Sequence, residues 1–97
     1  MYELDLKEAY CPAQTDTEYK ERTIEGVLRE QVAFRPDALA LRELLADGSA
    51  GRDWTYAELL ADSERVGRAL AARHPKGTRI AVMGGNCPEW VLLQMGA

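Results

Sequence analysis

One short stretch of the sequence has a composition that could bind phosphate. Gly84-Gly85-Asn86 lies between a predicted strand and a predicted helix, where backbone N–H groups can face an anion. The glycine spacing of dinucleotide-binding turns is absent, and no lysine followed by serine or threonine completes a phosphate loop. Two glycines at such a turn are explained more simply by backbone geometry. We therefore predict no cofactor-binding residue here.

The side chains best suited to catalysis are explained more simply by structural roles. Cys87 would open the last predicted helix, where the helix dipole favours a thiolate, but a nucleophile also needs a base. The single histidine, His74, follows the end of a different helix, where a capping role suffices. Glu58 and Glu89 each stand three residues after a capping residue, in the spacing of a capping box. No catalytic residue is predicted.

The cysteine content and the hydropathy of the sequence limit the kinds of metal site and the cellular compartments that can be expected. Cys11 and Cys87 form no Cys-x-x-Cys pair, and with one histidine they predict no metal site. Two free thiols are the simplest interpretation, and a disulfide between them stays open. Because no signal peptide and no apolar run of about 20 residues is present, we expect a cytoplasmic protein without a membrane span.

Charge is distributed unevenly along the 97 residues. Eight of the sixteen acidic residues lie in the first 30, against four of the twelve basic ones, and this places the net charge of −4 at the N-terminus. Residues 1–22 are predicted as an irregular acidic leader, either laid on the domain through Tyr2, Tyr10 and Tyr19 or partly disordered. Residues 31–97 are balanced, with eight acidic and eight basic side chains, and have no basic stripe, which argues against nucleic acid as a partner.

The middle of the chain predicts a helix and a β-hairpin. Thr23 is a good N-cap for a helix over Ile24–Phe34, and Pro36 ends that helix. The apolar run at 38–45, a turn rich in glycine and aspartate, and a short strand at 52–54 predict an edge hairpin.

The second half predicts two helices flanking a strand. Thr55 and Glu58 form a capping box, which predicts a helix ending near Arg73. Residues 78–83 are apolar on both faces and predict a strand buried between helices. A further helix is predicted over 88–97, with Asn86 as N-cap and Glu89 as its capping-box partner.

The predicted order of elements indicates an incomplete α/β fold. A strand–helix unit normally returns its chain to the sheet, and no strand follows the helix at 88–97. We therefore expect the N-terminal piece of a larger α/β protein, with an edge hairpin and a βαβ-type unit that is incomplete as it stands.

Several of these segments resemble the adenylate-forming, AMP-binding enzymes. Residues 54–59, Trp-Thr-Tyr-Ala-Glu-Leu, are similar to their first core motif, written Leu/Trp-Thr/Ser-Tyr-x-Glu-Leu. Residues 78–83, followed by Asn-Cys-Pro-Glu-Trp at 86–90, resemble their next strand and its helix start. The resemblance covers roughly residues 23–97. Within the family, the sequence looks most like the fatty acyl-CoA ligase branch, and nonribosomal peptide adenylation domains and aryl-CoA ligases remain as alternatives.

The resemblance implies a part of a ligase rather than a whole one. It implies that residues 23–97 are a partial N-terminal subdomain of the large AMP-binding domain. The parent enzyme would use ATP and magnesium to activate a carboxylate, a fatty acid in this branch, as an acyl-adenylate, with CoA or a carrier-protein thiol as acceptor. The family residues that match are scaffold positions, namely Trp54, Thr55, Tyr56, Glu58, Leu59, Asn86, Pro88, Glu89 and Trp90.

The family's phosphate-binding loop, acyl pocket and catalytic lysine have no counterpart in this sequence. The isolated chain is therefore expected to be inactive and to bind none of these cofactors. Its expected partners are the remainder of the parent enzyme and, through exposed apolar faces of the last helix, a second copy. The alternative is a free-standing small α/β interaction module without catalytic activity.

Overall fold

The computed structural model describes residues 12–97 and contains three helices and one hairpin. The elements are α1 (Ile24–Phe34), β1 (Leu39–Leu44), β2 (Ala50–Thr55), α2 (Tyr56–Arg73) and α3 (Pro88–Gly96). The predictions of these helices and of the hairpin are confirmed. Of the predicted leader, residues 1–11 lie outside the described residues, including Tyr2, Tyr10 and Cys11. Residues 12–22 form no helix or strand, and Tyr19 is 85 % exposed, so its ring does not pack on the domain.

Local signals set the bounds of α1. The Thr23 Oγ1 accepts a hydrogen bond from the Gly26 N–H at 3.0 Å, which satisfies one free donor of the first turn. At the other end the Arg35 N–H still donates to the carbonyl of Gln31, and Pro36 then ends the helix. The Ala57 N–H donates to the Pro36 carbonyl at 3.0 Å, which fixes the start of α2 beside the end of α1.

The hairpin is closed by a polar turn and by opposite charges. The Asp47 carboxylate accepts from both the backbone N–H and the hydroxyl of Ser49, at 2.9 and 2.6 Å. Gly48 adopts a positive φ of 82°, which side-chain-bearing residues rarely take. The strands pair antiparallel with Arg42 opposite Asp53, and their side chains form a two-bond ion pair.

The core is small and lies where α1, the hairpin and α2 meet. Its buried apolar residues are Leu28, Trp54 and Leu59, each at most 7 % exposed. The Cα radius of gyration is 18.4 Å, whereas a compact chain of this length has about 13 Å. The molecule is therefore less compact than a typical domain of this length, and much of its apolar surface is exposed to solvent.

The prediction of a buried strand at 78–83 is wrong, and the βαβ-type unit is not confirmed. The segment forms no strand, and Ile80, Val82 and Met83 are 44 %, 37 % and 100 % exposed. A strand forms through a ladder with a neighbouring backbone. Within residues 12–97 the only strands are β1 and β2, and they pair with each other.

The predicted cap of the last helix is wrong by one residue. The N-cap of α3 is Cys87 rather than Asn86, and no side chain caps the helix. Pro88 occupies the first helical position, where its missing N–H costs nothing. Glu89 is then too early in the helix to complete a capping box with Asn86.

The apolar side chains of α3 are half-buried, because this helix packs along α2. This group comprises Val91, Leu92, Leu93 and Met95. Three of them, Val91, Leu92 and Met95, pack against the core cluster. Within the described part of the chain, no helix combines the length and hydropathy needed to cross a membrane.

Candidate functional site

Trp54 is the centre of the first motif and ties the hairpin to α2. The residue is 7 % exposed, and its Nε1–H donates to the Asp62 carboxylate at 2.9 Å. A buried indole needs a partner for its N–H, and Asp62 supplies one from the second turn of α2. Asp62 is itself paired with Arg65 at 3.0 Å. The side chain of Trp54 therefore has a fixed orientation.

The residues that follow Trp54 start α2. The Thr55 Oγ1 accepts from the Glu58 N–H at 3.2 Å, and the Glu58 carboxylate accepts from the Thr55 N–H at 2.8 Å. This is the predicted capping box, and it is confirmed. Leu59 enters the core, and Tyr56 is half-buried with the Arg35 guanidinium 5.7 Å from its ring centroid. Each motif residue in this stretch holds local structure.

Arg52 connects the first motif to the Asn-Cys-Pro-Glu-Trp stretch at 86–90. Its guanidinium donates twice to the Glu43 carboxylate, at 2.8 and 2.9 Å, and lies 2.7 Å from a carboxylate oxygen of Glu89. It also lies 5.3 Å from the centroid of the Trp54 ring. We call Arg52, Glu43 and Glu89 the Arg52 network. It joins β1, β2 and the first turn of α3.

The Arg52 network shifts the pKa of its members. Hydrogen bonds from the Arg52 side chain, with a further one from its backbone N–H, lower the pKa of Glu43 to about 2. The pKa of Glu89 is lowered first by its own backbone N–H and then by Arg52. The two carboxylates raise the pKa of Arg52 further above its ordinary value. All three groups are charged at neutral pH, so the network is suited to holding structure rather than to transferring protons.

The Asn-Cys-Pro-Glu-Trp stretch at 86–90 begins within the turn at 84–87. Pro88 is buried, whereas Trp90 is 37 % exposed. A Cβ placed on Gly84 would lie 3.5 Å from the Trp90 Nε1, so the indole borders the turn. Asn86 is exposed and makes no hydrogen bond within residues 12–97.

The described residues do not fit a nucleotide or a metal ion. Arg42 lines the groove beside the 84–87 turn and is paired with Asp53, and Arg52 is paired with Glu43 and Glu89. Within residues 12–97, no cluster of three or more His, Cys, Asp or Glu side chains is arranged to hold a metal. We therefore derive no reaction step through ATP or magnesium at this surface.

The other two residues considered for catalysis, His74 and Cys87, lie at the end of α2 and at the start of α3. His74 is exposed at the end of α2, where its backbone N–H donates to the Leu70 carbonyl. Cys87 is exposed at the start of α3. Within the described part of the chain, no hydrogen bond joins these two side chains.

The role of Arg52 was not predicted from the sequence, although the sequence does contain a signal for its ion pair with Glu43. Opposite charges occur on both sides of the turn, in the pairs Arg42-Glu43 and Arg52-Asp53. An antiparallel register therefore brings Arg42 opposite Asp53 and Arg52 next to Glu43. The contact with Glu89 spans the fold and has no such local signal.

Comparison with known proteins gives the class to which these motifs belong. The family model described as "AMP-binding enzyme" matches residues 28–97, so the chain belongs to the AMP-binding enzyme family. No solved structure matches the chain.

Three curated relatives match parts of the chain, and each is named an acyl-CoA ligase or synthetase. Acyl-CoA ligase sidI of Aspergillus fumigatus is 43 % identical over 42 residues, covering 42 % of this chain and 7 % of that protein. Fatty acyl-CoA synthetase A of Dictyostelium discoideum is 42 % identical over 62 residues, covering 61 % and 9 %. Acyl-CoA ligase SID4 of Ajellomyces capsulatus is 44 % identical over 45 residues, covering 45 % and 8 %. The chain thus spans less than a tenth of the length of each.

Proposed function

We propose that this chain is the N-terminal scaffold portion of an ATP-dependent acyl-CoA ligase. In this proposal residues 23–97 are a partial N-terminal subdomain of its large domain, and residues 1–22 are a leader. The observation on which the proposal rests is the family match over residues 28–97, a stretch that contains the first core motif and the helix start at 86–90. The names of the three relatives support the acyl-CoA ligase class for the parent enzyme.

The reaction of the parent is activation of a carboxylate as an acyl-adenylate, followed by transfer to a thiol. We propose a fatty acid as the substrate class, because the relative with the longest matched stretch of the three is named a fatty acyl-CoA synthetase. ATP, magnesium and CoA are the cofactors in this proposal, and the remainder of the parent enzyme would hold them. A cytoplasmic location stays a prediction, which cell fractionation would check.

The contribution of this chain is to set the geometry of the motifs. The capping box starts α2, and the Arg52 network fixes the hairpin to the start of α3. Trp54, bonded to Asp62, holds the hairpin on α2. Because the family's phosphate-binding loop and catalytic lysine have no counterpart in this sequence, we expect the isolated chain to be inactive.

A chimera tests the scaffold role. Residues 28–97 would replace the corresponding region of Dictyostelium discoideum fatty acyl-CoA synthetase A, and fatty-acid-dependent exchange of pyrophosphate into ATP would be measured. We expect the chimera to retain exchange activity and the isolated chain to have none. A chimera that is folded and binds ATP but shows no exchange would contradict the scaffold role. Exchange by the isolated chain would contradict its proposed inactivity.

Two variants of the chimera separate scaffold from chemistry. Trp54→Ala removes the indole that joins the hairpin to α2, so we expect a smaller folded fraction with normal activity per folded molecule. Cys87→Ala removes an exposed thiol that no step uses, so we expect unchanged activity. Loss of turnover in a folded Cys87→Ala chimera would give this residue a chemical role and contradict the assignment.

Self-association and the interaction-module alternative need a separate test. We propose that the chain pairs with a second copy of itself, as expected from the sequence. A strictly monomeric chain would contradict this. An inactive chimera together with a specific protein partner for the isolated chain would favour the interaction module instead.

A further inference from the structure

Glu89 is a motif residue that lacks the role its spacing in the sequence predicts. It completes no capping box, because α3 begins at Pro88 and no side chain caps the helix. Its carboxylate lies instead 2.7 Å from the guanidinium of Arg52 in β2. Within residues 12–97, no Cα atom of β2 lies within 8 Å of one in α3. The side chain of Arg52 therefore bridges two elements whose backbones do not touch.

The position of the Arg52 guanidinium is set from the hairpin. Glu43 accepts two hydrogen bonds from it, at 2.8 and 2.9 Å, and a third from the Arg52 backbone N–H at 3.2 Å. The Glu43 side chain is 20 % exposed, against 57 % for that of Glu89. A two-bond pair between arginine and a carboxylate fixes orientation as well as distance. Glu43 is therefore the carboxylate that orients Arg52, and Glu89 meets a guanidinium that is already in place.

Gly51 makes room for this arrangement. A Cβ placed on Gly51 would lie 2.8 Å from the Oε2 of Glu43, closer than real Cβ atoms come to a neighbour. Among residues 12–97 only Gly48 and Gly77 have positive φ, so the backbone at Gly51 does not itself require glycine. The missing side chain is what allows the Glu43 carboxylate to lie against the strand and face Arg52.

We propose that Glu43 is a positioning residue that holds the start of α3 in place through Arg52. Glu43 makes no ion pair with α3 within residues 12–97, so its effect on that helix passes through the guanidinium. Isolated surface ion pairs contribute little, but two-bond arginine–carboxylate pairs and charge networks are exceptions. In the parent enzyme the same contacts would fix the first core motif relative to the helix start at 86–90, a step that rests on the proposed function.

Amide hydrogen exchange in the 97-residue chain tests whether the effect passes through Arg52. Exchange in α3 is compared with exchange in α2 of the same sample, so that a uniform loss of stability cancels. Glu43→Gln should speed exchange in α3 relative to α2 about two- to fivefold, as expected for loss of a well-formed surface ion pair. In an Arg52→Met background, which keeps an apolar stem over Trp54, Glu43→Gln should have no further effect.

Two results of this experiment would overturn the proposal. One is an unchanged ratio of α3 to α2 exchange when Glu43→Gln is made in the presence of Arg52. The other is an equal acceleration with and without Arg52, because Glu43 would then reach α3 by another route.

Two further variants separate geometry from charge. Gly51→Ala keeps every charge but displaces the Glu43 carboxylate, so it should speed exchange in α3 as Glu43→Gln does. Arg52→Lys keeps the positive charge without the planar fork, so it should protect α3 less than arginine does. If α3 exchanges as slowly in both variants as in the unsubstituted chain, the orientation of Arg52 by Glu43 is not what holds the helix, and the proposal is wrong.

A matched ion pair on the same hairpin provides the control. Asp53 accepts two hydrogen bonds from Arg42, at 2.8 and 2.7 Å, and has no ion pair with α3 within the described residues. Asp53→Asn should therefore leave the ratio of α3 to α2 exchange unchanged. An acceleration equal to that of Glu43→Gln would assign the effect to the hairpin as a whole and overturn the proposal. The chimera assay measures pyrophosphate exchange instead, so the two proposals can fail separately.

Discussion

A Cβ atom placed on Gly67 of α2 would lie 2.6 Å from the carbonyl oxygen of Gly96 in α3. That distance is shorter than any ordinary contact, so the helices approach backbone to backbone where neither residue has a side chain. Ser63, one turn before Gly67, is buried at the same contact. The packing of α3 on α2 therefore depends on small residues rather than on interlocking large ones.

The first prediction concerns this contact. Alanine favours a helix over glycine by about 1 kcal/mol, but overpacking a close contact costs about 1–3 kcal/mol. We therefore expect Gly67→Ala to lower the free energy of unfolding despite its better propensity, measured by urea denaturation. Gly85→Ala is the control, because a Cβ there would meet nothing within 4 Å. A Gly67→Ala variant as stable as the unsubstituted chain would show that the helices can move apart.

The second prediction compares the two capping motifs. Thr55→Ala removes the hydroxyl that caps α2 and should cost about 1 kcal/mol of unfolding free energy. Thr55→Ser keeps the acceptor and should restore most of the loss. Asn86→Ala should have almost no effect, because its side chain caps nothing. A loss from Asn86→Ala as large as that from Thr55→Ala would argue for the cap predicted from the sequence.

Local chemistry explains how much of the fold could be predicted from the sequence. Thr23 and Thr55 each precede a helix with the acceptor that its first turn needs, and Pro36 ends a helix without help from distant residues. The bounds of α1 and α2 follow from these signals. The capping box of Thr55 and Glu58 forms as its spacing predicts, whereas the predicted cap by Asn86 and Glu89 does not. The roles of the motif residues in the parent enzyme stay predictions.

The features that were predicted wrongly or missed depend on residues outside the local patterns from which the predictions were made. The apolar run at 78–83 has the composition of a buried strand, but composition does not supply the second backbone that a ladder requires. Asn86 was assigned as a cap on spacing alone, whereas Pro88 starts the helix one residue later. The Arg52–Glu89 ion pair joins residues 37 positions apart, beyond the reach of any local pattern.

The third prediction uses the two tryptophans as reporters. Trp54 is 7 % exposed and Trp90 is 37 % exposed. Iodide should therefore quench the Trp54→Phe variant, which emits from Trp90, more strongly than the Trp90→Phe variant. Both should be quenched equally in urea. Equal quenching in the folded state would mean that Trp54 is not enclosed between the hairpin and α2.

The fourth prediction is the pH dependence of the Arg52 network. Arg52 lowers the pKa of Glu43 from 4.5 to about 2, so the folded state binds this proton less readily than the unfolded state. The stabilisation is therefore complete above pH 4.5 and is lost as the pH falls towards about 2. Urea denaturation across this range should show the unsubstituted chain more stable than Glu43→Gln at neutral pH.

The difference between the two proteins should close as the pH approaches 2, and high salt should reduce it, because the pair lies at the surface. Glu18→Gln is the matched control, since Glu18 is exposed and forms no ion pair within residues 12–97. It should leave the stability curve unchanged at every pH. A gap between Glu43→Gln and the unsubstituted chain that stays constant from neutral pH to pH 2 would arise from packing or shape. The carboxylate–guanidinium pair would then not be what holds the hairpin in place.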